Sequence, residues 1–268
     1  MNAKSLVLSL AKGFRILEVF DTDEPELTLS EVAARADLDT GTAFRLIKTL
    51  VMLGYLQQGD GAKRYRLGLK IINLGFTALA RRDLHSLARP VLRSMVGPTI
   101  EAASIGVLDG PDVIYIDRVQ AGLSSLGVNR GIGSRVPAYC SAVGHAILAY
   151  LPVEQRLQIL NQRERIKLTP YTPVSIAEIE SRLAQVRELG YALSEQSLVL
   201  GVRALAAPIL DREGHPLATL SCGSASFASS AEEFVANTAP RVMAGARDLS
   251  LAISLSGASA GTRVHRST

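Results

Sequence analysis

The sequence predicts an α+β chain in two parts: an N-terminal winged helix-turn-helix, a linker helix, and a larger C-terminal domain of antiparallel strands flanked by helices. Three observations predict it. Roughly the first 70 residues run helix, capped helix, short turn, helix, hairpin, in that order. The remainder alternates strand-like and helix-like segments joined by tight polar turns. A length of 268 residues accommodates two domains. The expected boundaries are 6–68 for the winged helix (helix-turn-helix 28–53, wing 55–67), 69–82 for the linker helix, 83–255 for the second domain, and 256–268 for a disordered tail.

Leu6, Leu10, Phe14 and Leu17, joined by Ile16 and Phe20, recur at helical spacing, so residues 6–20 read as an amphipathic helix. The acidic run DTDEPE over 21–26 breaks it. Thr28-Leu29-Ser30-Glu31 fits a capping box, and the helix it opens runs to about Ala36 with Val32 and Ala33 inward. Asp37-Leu38 makes a tight connection. Asp39 then N-caps a third helix that Gly54 ends. Ala43, Leu46, Ile47 and Leu50 form its apolar stripe; Thr40, Gly41, Thr42, Phe44, Arg45 and Lys48 lie on the other side. After Gly54 the pattern changes to alternation. Tyr55 to Gln58 and Lys63 to Leu67 flank a glycine-containing tip, which makes a hairpin.

The charge distribution gives this order a partner. Formal net charge is +4 and the pI is about 9.2. Residues 39–70 carry Arg45, Lys48, Lys63, Arg64, Arg66 and Lys70 against Asp39 and Asp60, a surplus equal to that of the whole chain. A helix offering hydroxyls and cations, beside a basic hairpin, fits double-stranded DNA. The helix meets major-groove base edges and the wing meets phosphates or the minor groove. The candidate contacts are Thr28, Ser30, Thr40, Gly41, Thr42, Phe44, Arg45 and Lys48, with Lys63 and Arg64 on the wing. A winged helix used only for protein contacts is the competing reading; salt-dependent DNA binding separates the two.

In the second part, 69–80 and 84–97 read as helices, Ala103–Leu108 and Val113–Val119 as strands, and Tyr139–Leu151 and Ile176–Leu189 as helices. Arg203–Leu210 and Leu217–Cys222 read as strands and Glu232–Leu255 as a closing helix. Other classes fit poorly. Cys140, Cys222 and the four histidines show no metal-ligand spacing, so no metal and no cofactor is expected. Two separated cysteines read as reduced thiols packed as small hydrophobes, in a cytoplasmic protein. The apolar run in MNAKSLVLSLAKGFR is too short for a signal peptide, and no stretch reaches the roughly 20 apolar residues of a membrane span. Ser141 and His145, four apart, could pair on one helix as nucleophile and base, but no acid is placed to orient His145. GVNRGIGS over 127–134 lacks the Gly-Lys-[Ser/Thr] ending of a phosphate loop.

LTLSEVAARADLDTGTAFRLIKTLVMLGYLQQ (27–58) and KRYRLGLKIINLG (63–75) resemble the isocitrate-lyase-regulator (IclR) family of bacterial transcription factors. So do GSRVPAYCSAVGHAILAYLP (133–152) and GYALSEQSLVLGVRALAAPILDREGHPLATLSCGS (190–224), so the resemblance spans about residues 6–255. Family members carry a Ser-Thr pair where this chain has Gly41-Thr42; the match carries over Thr42 and Arg45 but not a serine at 41.

The resemblance implies a GAF-like effector-binding domain for small organic acids, a homodimer or dimer of dimers on a palindromic operator, and RNA polymerase as a further partner if the protein activates. It places the pocket between Ser141 and Gly144, around Ser194 and Glu195, at Ala204, and along Ser221 to Gly223. Tyr139, Cys140, Ser141, Ala142 and Val143 would line one side. Their backbone amides could meet a carboxylate, with Arg203 or Arg135 as a fork. Arg203 has a structural alternative, an ion pair with Glu195. Ala204 and Gly223 replace polar family residues, which favours an aromatic acid. The form Arg135-x-Pro137-Ala138-Tyr139-Cys140 looks like the subgroup controlling protocatechuate, 4-hydroxybenzoate and β-ketoadipate metabolism. A short keto acid is the alternative effector.

Overall fold

The structure, a computed structural model, describes residues 6–21, 24–59, 63–72, 74, 84–121 and 130–255. The chain divides into two units, 1–78 and 79–268. The tail expected over 256–268 lies outside the described residues, as does most of the linker helix; Lys70 to Ile72 and Leu74 are helical.

The first unit follows local sequence signals closely. It runs α1 (Leu8–Glu18), β1 (Leu27–Thr28), α2 (Leu29–Arg35), α3 (Thr40–Met52), β2 (Leu56–Gln58) and β3 (Arg64–Leu67). The capping box forms: the Glu31 amide donates to Thr28 Oγ1 at 3.3 Å and the Thr28 amide donates to Glu31 Oε2 at 2.7 Å. These Thr28 hydrogen bonds hold the Glu31 carboxyl below its ordinary pKa. Asp39 caps α3 by accepting from the Thr42 amide at 2.8 Å. Gly54 takes φ +80° to end the helix, a conformation that costs glycine little.

β2 and β3 pair antiparallel with Leu56 opposite Leu67, as expected for the wing. A two-residue strand was not foreseen: β1 pairs with β3, Leu27 opposite Tyr65, and gives sheet order β1-β3-β2. The core is Ile16, Phe20, Leu27, Val32, Ala36, Ile47, Leu56 and Tyr65. Full burial of a residue such as Ile47 contributes about 1.5–3 kcal/mol. Helix α1 corrects one expectation. Ile16 and Phe20 face this core, whereas Leu6, Leu10 and Phe14 are 59%, 60% and 54% exposed. The core is small and accepts only one face of α1.

The second unit is built on a six-stranded antiparallel sheet of order β6-β5-β4-β9-β8-β7. Its strands are β4 (Ala102–Asp109), β5 (Asp112–Gln120), β6 (Arg135–Pro137), β7 (Ala192–Glu195), β8 (Val202–Leu210) and β9 (Pro216–Ala225). Alternation divides their side chains between two cores. Ile105, Leu205, Leu220 and their neighbours pack with α4 (Leu84–Met95) and α8 (Ala231–Leu255). Val113, Ala206 and Ala192 pack with α5 (Ala142–Leu148), α6 (Val153–Leu160) and α7 (Ile176–Leu189). Strands β6 and β7 and helix α6 were not foreseen. The helix expected over 139–151 shortens to α5, because Tyr139 to Ser141 form the turn that enters it.

Gly144 makes that turn possible, since a Cβ there would lie 2.1 Å from the Ala138 carbonyl oxygen. On the opposite face, fully buried Asp117 of β5 pairs with Arg89 of α4, and Arg89 also donates to the Arg118 carbonyl at 3.2 Å. Helix α4 is thereby fastened to β5.

Candidate DNA interface and effector pocket

On α3, Ala43 and Ile47 face the core, so the other side of the helix is presented outward. Thr40, Gly41, Arg45 and Lys48 are exposed, Phe44 is 48% exposed and Thr42 is half-buried. The Arg45 guanidinium lies 3.5 Å from Thr42 Oγ1. Ser30 is exposed in the first turn of α2, while the Thr28 hydroxyl is engaged by the cap.

The six cations of the basic stretch split by role. Arg64 donates to the Glu26 carbonyl at 2.9 Å and sits 3.9 Å from Glu31; Arg66 pairs with Glu26 at 3.4 Å. Lys70 donates to the Leu53 carbonyl at 3.0 Å and lies over the Tyr55 ring. These three brace the wing and the end of α3. Arg45, Lys48 and Lys63 form no ion pair among the described residues. They are the cations with the most freedom to meet phosphate or base.

Arg45→Ala should therefore weaken specific duplex binding by about 1–3 kcal/mol and nonspecific binding much less, read by anisotropy on matched duplexes. Equal losses on both would remove its base-reading role. Lys63→Ala should reduce the salt slope of log K by about 1 and leave sequence preference unchanged. Arg64→Ala should add a loss of thermal stability, because its carbonyl and carboxylate partners belong to the fold.

The pocket of the second unit follows from strand register. Two adjacent rows cross the sheet. Arg118, Ser104 and Ser221 stand side by side in one. Two residues along, Gln120, Ala102, Gly223, Ala204 and Ser194 form the next. The second row is mostly small, so a space remains between the sheet and the start of α5. Ser141, Ala142, Val143, Tyr115 and Arg130 join its lining, with Leu198, Val199 and Val202. Of the residues expected there, Ser141, Ala142, Val143, Ser194, Ala204, Ser221 and Gly223 are present.

Five expected pocket residues lie elsewhere. Tyr139 donates its hydroxyl to the Ile166 carbonyl at 2.6 Å, and Tyr115 is the aromatic that lines the pocket. Cys140 is buried beside it, its thiol pushed up to about 12 by desolvation. Glu195 and Arg203 face each other across β7 and β8 with both side chains on the α8 face; the structural ion pair is the one that forms. Arg135 is half-exposed and paired with Asp109 and Asp112. Ser141 of the pocket is also committed. Ser141 Oγ donates to the Pro137 carbonyl at 2.7 Å and accepts from the Gly144 amide at 3.2 Å. His145 bonds the Tyr139 carbonyl through Nε2 at 2.7 Å, so the spacing of Ser141 and His145 serves the turn into α5.

The sequence reading missed Arg118 and Arg130. Arg118 donates to Ser104 Oγ at 2.6 Å and Gln120 Oε1 at 3.1 Å, both neutral acceptors, and its guanidinium lies 5.4 Å from the centre of the Tyr115 ring. Burial, then the neighbouring charge of Arg130, holds Arg118 below the ordinary arginine range. The pocket is thus more cationic than the losses at 204 and 223 implied.

A winged helix joined to a domain with a cationic small-molecule pocket defines a ligand-responsive transcription regulator. The relatives agree. Residues 9–60 match the IclR helix-turn-helix domain and residues 76–251 match the bacterial transcriptional regulator IclR C-terminal domain. The chain belongs to the IclR family of transcriptional regulators, DNA-binding proteins with a separate effector-binding domain. It is 30% identical to the HTH-type transcriptional regulator XynR of Escherichia coli strain K12 over 216 residues, 81% of this chain and 85% of the relative. It is 29% identical to the Pca regulon regulatory protein of Pseudomonas putida over 241 residues, 90% of this chain and 82% of the relative. A solved transcriptional regulator from Rhodococcus sp. RHA1 superposes with a TM-score of 0.81 at 30% identity, covering 94% of this chain and all of that one. Among the described residues, no helix is long and apolar enough to cross a membrane.

Proposed function

We propose that this regulator controls a catabolic operon in the cytoplasm in response to a small organic acid, an aromatic acid or a catabolite of one. The observation that carries the acid is the pair Arg118 and Arg130 in a pocket whose described lining includes no carboxylate. Tyr115 offers a flat face to a ring, and Ala102, Ala204 and Gly223 leave room for one. The likeness of 135–140 to regulators of protocatechuate, 4-hydroxybenzoate and β-ketoadipate metabolism supports the aromatic reading, as does the Pca regulon relative.

On DNA, the protein acts as a homodimer at a palindromic operator, with Thr40, Thr42, Phe44, Arg45 and Lys48 toward the groove and Lys63 of the wing toward phosphate. The outward Leu8, Leu10 and Phe14 of α1 support self-association, because a monomer rarely leaves such a row in water. Effector and operator are coupled by about 1–3 kcal/mol, so acid should change operator affinity roughly 5- to 150-fold.

The test is a thermal-shift panel on the full chain with 4-hydroxybenzoate, protocatechuate, aliphatic dicarboxylates, glyoxylate and pyruvate. Each hit is then added to an operator-binding assay on the DNA flanking the protein's own gene. An aromatic acid or its ring-opened product should raise Tm and move operator affinity. Stabilisation by glyoxylate or pyruvate alone would shift the assignment to short keto acids.

A further inference from the structure

We infer that Arg118 and Arg130 form a two-cation clamp, so that the ligand of this pocket carries two negative charges. The inference rests on the acid-effector reading and goes past it: one carboxylate would satisfy that reading, whereas the clamp selects a dianion.

The geometry is specific. Arg118 stands on β5 in the row of Ser104 and Ser221, and its head lies beside the Tyr115 ring. Arg130 lines the same cavity as this tyrosine, near enough for its charge to act on the phenol. Both guanidiniums line one cavity. The partners of Arg118 are a serine hydroxyl and a side-chain amide, which carry no charge. Desolvation raises the Tyr115 phenol above its ordinary pKa, so at neutral pH it supplies no anion either. The chain from 121 to 134 contains no Asp or Glu.

Elsewhere in this domain, half-buried or buried arginines meet carboxylates, Arg89 with Asp117, Arg156 with Glu180 and Arg203 with Glu195, or backbone carbonyls, as Arg165 does at Leu160 and Val174. Two guanidiniums that share a cavity whose described lining holds no acid repel each other and lose solvent, a cost that two ligand charges offset. A monoanion would leave one of them uncompensated. The planar forks of arginine also suit carboxylate oxygens better than a lysine point charge would.

The test compares each diacid with its own monoester, which keeps shape and removes one charge. Terephthalate against monomethyl terephthalate and adipate against monomethyl adipate are titrated calorimetrically into the full-length protein at neutral pH. The dianion of at least one pair should bind about tenfold or more tightly than its monoester. Arg118→Gln and Arg130→Gln should each reduce that preference to near unity. Arg118→Lys, which keeps the charge but not the fork, should retain part of it. Circular dichroism melts identify any variant that fails to fold, and for that position the lysine substitution carries the comparison.

Monoesters binding as tightly as diacids in the native protein would overturn the clamp. So would a preference that survives both glutamine substitutions. In either case the acid-effector reading stands if simple monoacids of the panel bind. Absence of binding by every acid, of either charge, would overturn both readings together.

Discussion

Arg203→Met is expected to destabilise the C-terminal unit by about 3 kcal/mol and to leave acid binding in the pocket unchanged. Arg203 is 5% exposed. Its fork meets the Glu195 carboxylate, with Nη2 to Oε1 at 3.1 Å, and Nη1 donates to the Ser229 and Ser230 carbonyls at 2.9 and 3.0 Å. It also packs over the Phe234 ring at 5.6 Å. One side chain thus ties β7 and β8 to the start of α8. Removing it strands three acceptors. The penalty sits at the low end of the usual range for breaking a buried pair, because Glu195 keeps 36% of its side chain exposed and water can reach it.

Urea melts monitored by near-ultraviolet circular dichroism would read the loss, and calorimetry with an acid that binds the native protein would read the pocket. The double variant Arg203→Met with Glu195→Leu should recover part of the stability, since no charge is then left unpaired. Unchanged stability with lost acid affinity would make Arg203 a ligand residue after all.

The contrast between Arg203 and Arg118 shows what was legible in the sequence. Successive strand residues point to opposite faces, so a pocket that contains Ala204 excludes Arg203 from the same face. That parity was available from the strand assigned over 203–210. Glu195 follows the same rule against Ser194, but only once the unforeseen strand β7 is known. Arg118 was harder to find. The strand over 113–119 was recognisable, but its pocket-facing parity depends on the pairing of Arg118 with Ser104 and of Ser104 with Ser221. Those partners are 14 and 117 residues apart in sequence, a relation no local pattern encodes.

The first unit was more legible because its signals are local. The box of Thr28 and Glu31, the Asp39 cap and Gly54 each act within a few residues. Its misses have the same cause in reverse. Two residues of β1 are too few to show a period, and α1 has apolar residues on more than one face, so periodicity alone could not choose Ile16 over Phe14. The basic stretch was read correctly as a concentration of charge. Which cations remain outward depended on Glu26, whose carbonyl and carboxylate engage Arg64 and Arg66 across the wing.

Lowering the pH from about 6.5 to about 4 is expected to cost the C-terminal unit about 3 kcal/mol through His145 alone. The side chain is 2% exposed, and desolvation pushes its pKa from 6.5 down to about 4 against the opposing effect of the Tyr139 carbonyl. A histidine depressed in the folded state stays neutral there while the unfolded chain takes up a proton below 6.5. The unfolded state then binds more protons, so stability falls with pH through this window and levels off below the folded value. Carboxylates enter later. Glu180, held low by its hydrogen bonds to Arg156, contributes stability that is lost only below its ordinary value of 4.5. The interval from 6.5 to 4.5 therefore precedes the loss through Glu180.

Urea midpoints of the native protein across that interval should decline steadily, and His145→Gln, which keeps a donor for the Tyr139 carbonyl, should flatten the decline even if it lowers stability at neutral pH. A flat native profile would mean that His145 is charged or solvated in the folded state. The consequence reaches the pocket, because His145 fixes the turn that sets Ser141, Ala142 and Val143 over the sheet. Its bond to the Tyr139 carbonyl is kept while His145 stays neutral in the folded state, so acid affinity of the folded protein should fall through this turn only as the pH nears about 4.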